Sequence, residues 1–198
     1  MSSPLGIRED QRVAVFIDGP SFYATTKSLG WDVDYRKLRA HLDDQSMLYR
    51  VLYFTAITDD PEQHSPVVKL VDWLSYNGFR TFTKPLREYR DPDGRRRVKG
   101  NSMHVEIAVE MMEAVPFADH LLLFSGDGEL SYAVESVQRR GAKVTAVSSV
   151  KNSPPSISDD LRRSVDNFVD LCDLKDVIFK RDFPQDAASV LPLRAGNR

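Results

Sequence analysis

Five segments rich in apolar, aromatic or β-branched residues recur along the chain, and each ends at turn-forming or polar residues. They span residues 13–17, 47–57, 80–85, 120–125 and 143–148. Runs of this length and composition are typical of buried strands. A shorter segment over residues 168–171 predicts one more small strand or a turn.

Helices are predicted between these strands. The segment 63–77, for example, carries apolar residues at helical spacing, and Gly78 stands where a helix C-cap belongs. The other predicted helices cover residues 21–29, 34–43, 101–114, 129–140 and 159–165. Alternation of strands and helices predicts an α/β fold, in which a mostly parallel sheet of five or slightly more strands is covered by helices on both faces. Right-handed crossovers then bring the carboxyl ends of all strands to one edge, where ligands bind in such folds.

Length and composition bound the organisation of the chain. The 198 residues suit one domain, predicted over residues 12–181, between a flexible N-terminus (1–11) and a C-terminal tail (182–198). A single cysteine, Cys172, excludes an intramolecular disulfide and a cysteine-rich zinc site. The polar N-terminus and the absence of a long apolar run predict a cytoplasmic protein that does not contact membranes.

Acidic residues follow two of the predicted strands. Asp18 comes directly after VAVFI, and Asp127 follows LLLFSG, with Glu129 two residues later. Carboxylates that meet at one edge of a sheet repel each other unless a cation lies between them. Mg²⁺ and Mn²⁺ are the cations that prefer oxygen ligands. The alternative is that Asp18 and Asp127 are turn or N-cap residues, which are common at strand-to-helix junctions.

Three segments together resemble the NYN family of PIN-like domains, most of all its bacterial LabA-like branch. They are FIDGPSFY (16–23), RVKGNSMHVEIAVEMM (97–112) and LLLFSGDGELSYAVESVQRRGAKVTAVS (121–148), in the family's order and spacing. The resemblance implies a PIN-like, doubly wound fold over roughly residues 12–171. It also implies RNA cleavage that depends on a divalent metal.

The resemblance assigns roles to individual residues. Asp18 matches the first-strand acid and is expected to be the main metal ligand, while Asp127 and Glu129 match the paired acids of an S/T-G-D-x-D pattern. Ser125 matches the small hydroxyl residue that opens this pattern. The stretch Lys99-Gly100-Asn101 matches a K-G-N motif that leads into the fourth helix.

Several positions depart from the family pattern. Ser21 replaces an asparagine, His104 stands for an aspartate after one extra residue, and Glu110 replaces a second aspartate. Imidazole is a poor ligand for Mg²⁺ but an acceptable one for Mn²⁺. The sequence therefore leaves open an active Mg²⁺ site, a site shifted towards Mn²⁺, or a weakened site kept for binding. A polar first-turn residue without a ligand role is the other interpretation of His104.

A basic segment precedes the fourth helix. Its lysines and arginines, with the K-G-N asparagine, form the predicted RNA-binding set: Lys84, Arg87, Arg95, Arg96, Arg97, Lys99 and Asn101. Because the formal net charge is only -2, contact with RNA phosphates needs such a local patch. The turn signal Asp91-Pro92-Asp93-Gly94 predicts a projecting hairpin or loop, and a solvated hairpin with no RNA contact is the plainer interpretation. Tyr89 and either Phe22 or Tyr23 are candidates for stacking on a base.

The functional hypotheses differ in class. The first is a metal-dependent ribonuclease with an acidic site at the sheet edge. The second is a catalytically weakened NYN-like module that binds RNA or a protein in a regulatory role. A homodimer built on Met111, Met112 and residues 115–117 is a third, although core burial would explain the same apolar residues.

Overall fold

The computed structural model describes residues 5–58, 66–90, 96–99 and 102–182, with residues 58, 87–90 and 96–99 described by their backbone alone. Its main sheet has seven strands, namely β1 (Arg12–Asp18), β3 (Met47–Thr58), β4 (Phe79–Arg90), β5 (Arg96–Lys99), β6 (His120–Phe124), β7 (Lys143–Ser148) and β8 (Asn167–Asp170). Their order across the sheet is β5-β4-β3-β1-β6-β7-β8. Six of them run parallel, and β5 pairs antiparallel with β4 at one edge.

Helices connect the parallel strands and cover both faces of the sheet. The helices are α1 (Gly19–Ser28), α2 (Tyr35–Gln45), α3 (Pro66–Tyr76), α4 (His104–Ala114), α5 (Ser131–Gln138), α6 (Asp159–Ser164) and α7 (Lys175–Ile178). Short 3-10 turns cover Gly128–Leu130 and Leu171–Leu174. The predicted α/β fold with a mostly parallel sheet between two helical layers is confirmed.

The central strand β1 divides its side chains between two cores. Val13, Val15 and Ile17 enter the core formed with α1, α2, α3 and α7. Ala14 and Phe16 enter the opposite core, formed with α4, α5 and α6. Successive side chains of a strand point to opposite faces, so a run that is apolar at every position suits a strand covered on both sides.

The structure adds elements that the sequence pattern did not predict. A small antiparallel pair forms between β2 (Trp31–Val33) and β9 (Phe179–Asp182). Leu5 and Ile7, within the segment predicted to be flexible, are buried in the first core. Their burial was not predicted, because two apolar residues in a mostly polar segment are too few to show a periodic pattern. The tail from residue 183 onward lies outside the described residues.

Strand register brings two predicted site segments together. Ile17 of β1 lies opposite Phe124 of β6, so the next residues, Asp18 and Ser125, leave the sheet side by side. The carboxyl edge of the sheet is therefore where the first-strand acid meets the SGDGE segment.

Candidate metal centre

Asp18 uses its two carboxylate oxygens for different purposes. Its Oδ1 accepts a 3.5 Å hydrogen bond from the backbone N–H of Ser21 and so caps α1. Its Oδ2 accepts a 2.9 Å hydrogen bond from the hydroxyl of Ser125. The side chain is almost wholly buried, at 5% exposure, and is fixed from both sides.

Asp127 follows the same division. Its Oδ1 accepts a 2.9 Å hydrogen bond from the backbone N–H of Glu129 and caps the 3-10 turn. Its own backbone N–H donates to Ser125 Oγ at 3.2 Å, and the N–H of Gly126 donates to Ser21 Oγ at 3.1 Å. The N-cap interpretation of the two acids is thus confirmed, and it leaves the second oxygen of each available for other contacts.

His104, the first residue of α4, lies among the three acids. Its Nδ1 is 2.8 Å from Glu129 Oε2. Its Nε2 is 3.3 Å from Asp127 Oδ2 and 3.8 Å from Asp18 Oδ2. One imidazole therefore contacts or approaches every carboxylate predicted to form the site.

The acids change the protonation of this imidazole. The nearby carboxylate of Asp18 is the main cause that raises the pKa of His104 to about 9; burial opposes it, while Glu129 and Asp127 add to it. The ring consequently carries a positive charge at neutral pH when only protein groups are present. Three carboxylates gathered at one sheet edge need such compensation.

A divalent cation has a suitable set of donors here. One ligand atom from each of His104, Asp127 and Glu129 lies within 4.8 Å of the others. Asp18 borders this group through the contact of its Oδ2 with His104. Two carboxylates with one imidazole fit Mn²⁺ or a later transition metal better than Mg²⁺, which prefers oxygen alone.

Glycines next to the acids are required by close packing. A Cβ on Gly19 would lie 2.6 Å from the hydroxyl of Tyr53, and one on Gly126 would lie 1.7 Å from the carbonyl oxygen of Ser156. Sequence reasoning took these glycines as turn residues and missed the neighbours that press on them. The Asp-Gly and Gly-Asp-Gly sequences were the signal from which close packing at these positions could have been inferred.

Among the basic residues, the structure describes the side chain of Lys84. Its ammonium bonds both carboxylate oxygens of Glu106, at 3.2 and 3.3 Å, which joins β4 to the first turn of α4. Glu106 thus faces away from the group of three, as expected for a residue two positions, or about 200° of helical rotation, beyond His104. Other members of the predicted RNA-binding set lie on β4 or β5 with only their backbone described, namely Arg87, Arg96, Arg97 and Lys99. Arg95 and Asn101 lie outside the described residues.

Other predicted contacts do not reach the site. Phe22 is buried and packs edge-on against Phe124, so it cannot stack on a base. Glu110 is half-buried on α4 and does not belong to the group of three ligands. The paired strands β4 and β5 confirm the predicted hairpin, although its tip at residues 91–95 is outside the described part.

The apolar residues proposed for a dimer are mostly covered by the domain itself. Met111 is fully buried in the second core, and Met112 and Val115 pack against that core. Phe117 is half-exposed and stacks on Tyr49, with ring centroids 5.4 Å apart. Nothing among the described residues supports a homodimer, because core burial already explains these side chains.

Comparison with known proteins supplies the family. Residues 12–172 match the profile of the NYN domain. This chain belongs to the NYN domain family. The chain is similar to "Low amplitude and bright protein LabA" of Synechococcus elongatus, with 28% identity over 88% of this chain and 91% of that protein. A crystal structure of a Vibrio parahaemolyticus protein of unknown function shares the fold, with a TM-score of 0.67 and 24% identity over 87% of this chain and 98% of that one.

Membership of the NYN family carries chemical expectations. The family is nuclease-like, its PIN-like nucleases generally use divalent metals, and its members bind RNA. In the described part of the NYN domain, no helix has the length and apolar character needed to cross a bilayer.

Proposed function

We propose that this NYN domain is a divalent-metal-dependent ribonuclease that hydrolyses RNA phosphodiesters at the carboxyl edge of the sheet. The observation that carries the proposal is the convergence of His104, Asp127 and Glu129, whose ligand atoms lie within 4.8 Å of one another. Asp18 completes the set at its buried side. The family's use of divalent metals supports the same conclusion.

The four side chains would hold the ion with different freedom. Asp18 is fixed by Ser125, and Asp127 is fixed by its cap, so these two define the place of the ion. Glu129 is 76% exposed and can adjust to the ligand. His104 supplies the nitrogen donor that favours Mn²⁺ over Mg²⁺. When bound, a divalent ion lowers the pKa of a water molecule and polarises the phosphodiester.

The RNA itself needs positive charge near this edge. In the proposal, the basic segment supplies it through Arg87, Arg95, Arg96, Arg97 and Lys99, while the neutral amide of Asn101 would donate a hydrogen bond. Lys84 would contribute less, because Glu106 already balances its charge. Phosphate contacts of this kind give affinity without sequence preference.

Cleavage of a labelled single-stranded RNA tests the proposal. We expect cleavage with Mn²⁺, less with Mg²⁺ and none with EDTA. Asp127→Asn and Asp18→Asn should abolish it, whereas Asp119→Asn, which changes an acid at the opposite edge of the sheet, should not. Cleavage that survives Asp18→Asn would indicate a contaminating nuclease and contradict the proposal.

A second candidate function is a catalytically weakened NYN module that binds RNA or a protein partner in a regulatory role. The position of His104 favours it, because a protonated imidazole 2.8 to 3.8 Å from the three carboxylates already compensates their charge. The variant His104→Asp separates the two candidates. Cleavage by the natural protein supports the nuclease, and cleavage only by His104→Asp supports the weakened module.

A further inference from the structure

A groove of about 530 Å³ begins at the metal centre and runs between α5 and α6. Glu129 belongs to both the groove and the group of three ligands. The remaining groove wall combines aromatic, acidic, basic and hydroxyl side chains, namely Tyr132, Glu135, Asp160, Arg163 and Ser131. Of the groove residues, the proposed metal centre uses only Glu129, so the other side chains have no role in it.

Tyr132 gives the groove a flat surface. The side chain is 74% exposed, and Arg139 lies over its ring at 5.5 Å from the ring centroid. A tyrosine on the core side of a helix would be buried. Tyr132, three residues beyond Glu129, is exposed and belongs to the groove wall instead. An exposed ring supported by a guanidinium on one side is a good surface for stacking a nucleobase.

The charges of the groove select which part of a nucleotide can enter. Glu129, Glu135 and Asp160 would repel a phosphate, while Arg163 is the lining residue with the opposite charge. Carboxylates instead accept hydrogen bonds from N–H groups of a base. Arg163 pairs with Asp159 at 3.5 Å, but both side chains are more than three-quarters exposed, so this ion pair is weak and the guanidinium can turn to a ligand.

Guanine matches these groups better than uracil does. Its Watson–Crick edge presents adjacent N–H donors for a carboxylate, and its O6 and N7 are acceptors for an arginine. Uracil presents one N–H donor between two carbonyl acceptors, which the carboxylates would repel. The groove would therefore distinguish guanine from uracil by the direction of their hydrogen bonds.

We propose that the groove between α5 and α6 binds a nucleobase of single-stranded RNA, with guanine preferred, stacked on Tyr132 and hydrogen-bonded by Asp160 or Glu135 and Arg163. This inference rests on the proposed ribonuclease function and adds a base-specificity site to it. The shared residue Glu129 places the bound base beside the phosphodiester that the metal centre would receive.

Binding of mononucleotides to the full-length protein in EDTA tests the inference without requiring cleavage. Guanosine monophosphate and uridine monophosphate are titrated while backbone amide NMR signals are followed, with inorganic phosphate as the control probe. We expect guanosine monophosphate to shift the amides of Ser131, Tyr132 and Arg163, to bind more tightly than uridine monophosphate, and phosphate to leave these signals unchanged.

Matched variants assign the effect to the ring. Tyr132→Leu should weaken binding of guanosine monophosphate about tenfold, whereas Tyr132→Phe should keep most of it. Tyr76→Leu removes another exposed tyrosine, on α3, and should change nothing. Asp160→Asn should reduce the preference for guanine over uracil.

Either of two results overturns the inference: equal binding of both nucleotides, or unchanged binding by Tyr132→Leu. If the natural protein binds guanosine monophosphate as expected but does not cleave RNA, the ribonuclease proposal alone is refuted. If the protein cleaves RNA regardless of the base and Tyr132→Leu does not change this cleavage, the groove site alone is refuted.

Discussion

The two edges of the central sheet treat charge in opposite ways. At the amino edge, Arg12 and Asp119 pair with each other at 2.7 Å, and His120 is buried beside them in sequence. At the carboxyl edge, three carboxylates share His104. Burial is the main cause that lowers the pKa of His120 to about 4, whereas the nearby carboxylate of Asp18 leads the causes that raise the pKa of His104 to about 9.

This contrast separates structural polar groups from candidate functional ones. An acid with its own arginine needs nothing further, while several acids around one imidazole leave room for a cation. Strongly perturbed protonation in a cluster of this kind is typical of functional sites. Substitutions at the two edges should therefore differ in their effects on folding, metal affinity and pH dependence.

The largest expected effect is on folding at the carboxyl edge. Gly126→Ala would place a methyl group 1.7 Å from the Ser156 carbonyl oxygen, so a backbone segment must move. We expect the free energy of unfolding to fall by at least about 3 kcal/mol in urea denaturation. Gly141→Ala, at the amino edge, meets open space but has a positive φ of 94°, and should cost about 1 kcal/mol. Equal losses would show that packing around the site is not tight.

Metal affinity should distinguish acids at the two edges. Asp127→Asn removes a negatively charged ligand, and we expect the affinity for Mn²⁺ measured by calorimetry to fall at least about 100-fold. Asp119→Asn is the matched control and should leave this affinity unchanged. Similar Mn²⁺ affinities for both variants would place the metal elsewhere.

Acidification should destabilise the protein through His120. The side chain bonds Thr145 Oγ1 at 2.8 Å through Nε2, and its Nδ1 has no hydrogen-bond partner among the described residues. Because burial, with help from Lys143, lowers the pKa of His120 to about 4, the neutral ring is favoured in the folded state. This contribution to stability is complete above the ordinary pKa of about 6.5 and is lost as the pH falls towards 4, with about 2 kcal/mol lost by pH 5.

The measurement compares urea denaturation of the natural protein and His120→Gln at neutral and mildly acidic pH. The natural protein should lose more stability on acidification than the variant does. Parallel pH profiles would contradict the role given to His120.

The smallest effect concerns the ion pair of the amino edge. Asp119 accepts from Arg12 through both the guanidinium and the backbone N–H, which lowers the pKa of the Asp119 carboxyl to about 2. Since both side chains are exposed, Asp119→Asn should lower the free energy of unfolding by no more than about 1 kcal/mol. High salt should reduce the difference between the natural protein and the variant. A larger, salt-independent loss would mean that the pair is more than a surface contact.

Local patterns carried most of the fold. The apolar run of β1 and the helical spacing of α3 depend on residues near in sequence, and the predicted strands and helices follow them closely. The two-stranded sheet of β2 and β9 was not predicted. Its strands are too short to show a periodic pattern, and they lie about 150 positions apart in the sequence. Phe22 is buried against Phe124, which is distant in sequence, so its burial could not be predicted from a local pattern either.

The sequence by itself determined which acids end the central strands, because a buried apolar run followed by Asp and Gly specifies both the strand and its turn. Only the tertiary structure decided how those acids are used. Asp18 and Ser125 are 107 residues apart, and their contact depends on the register of β1 against β6. The placement of His104 among three carboxylates, and of Lys84 on Glu106, depends on how α4 packs over the sheet. Long-range packing of this kind has no local pattern from which it could be predicted.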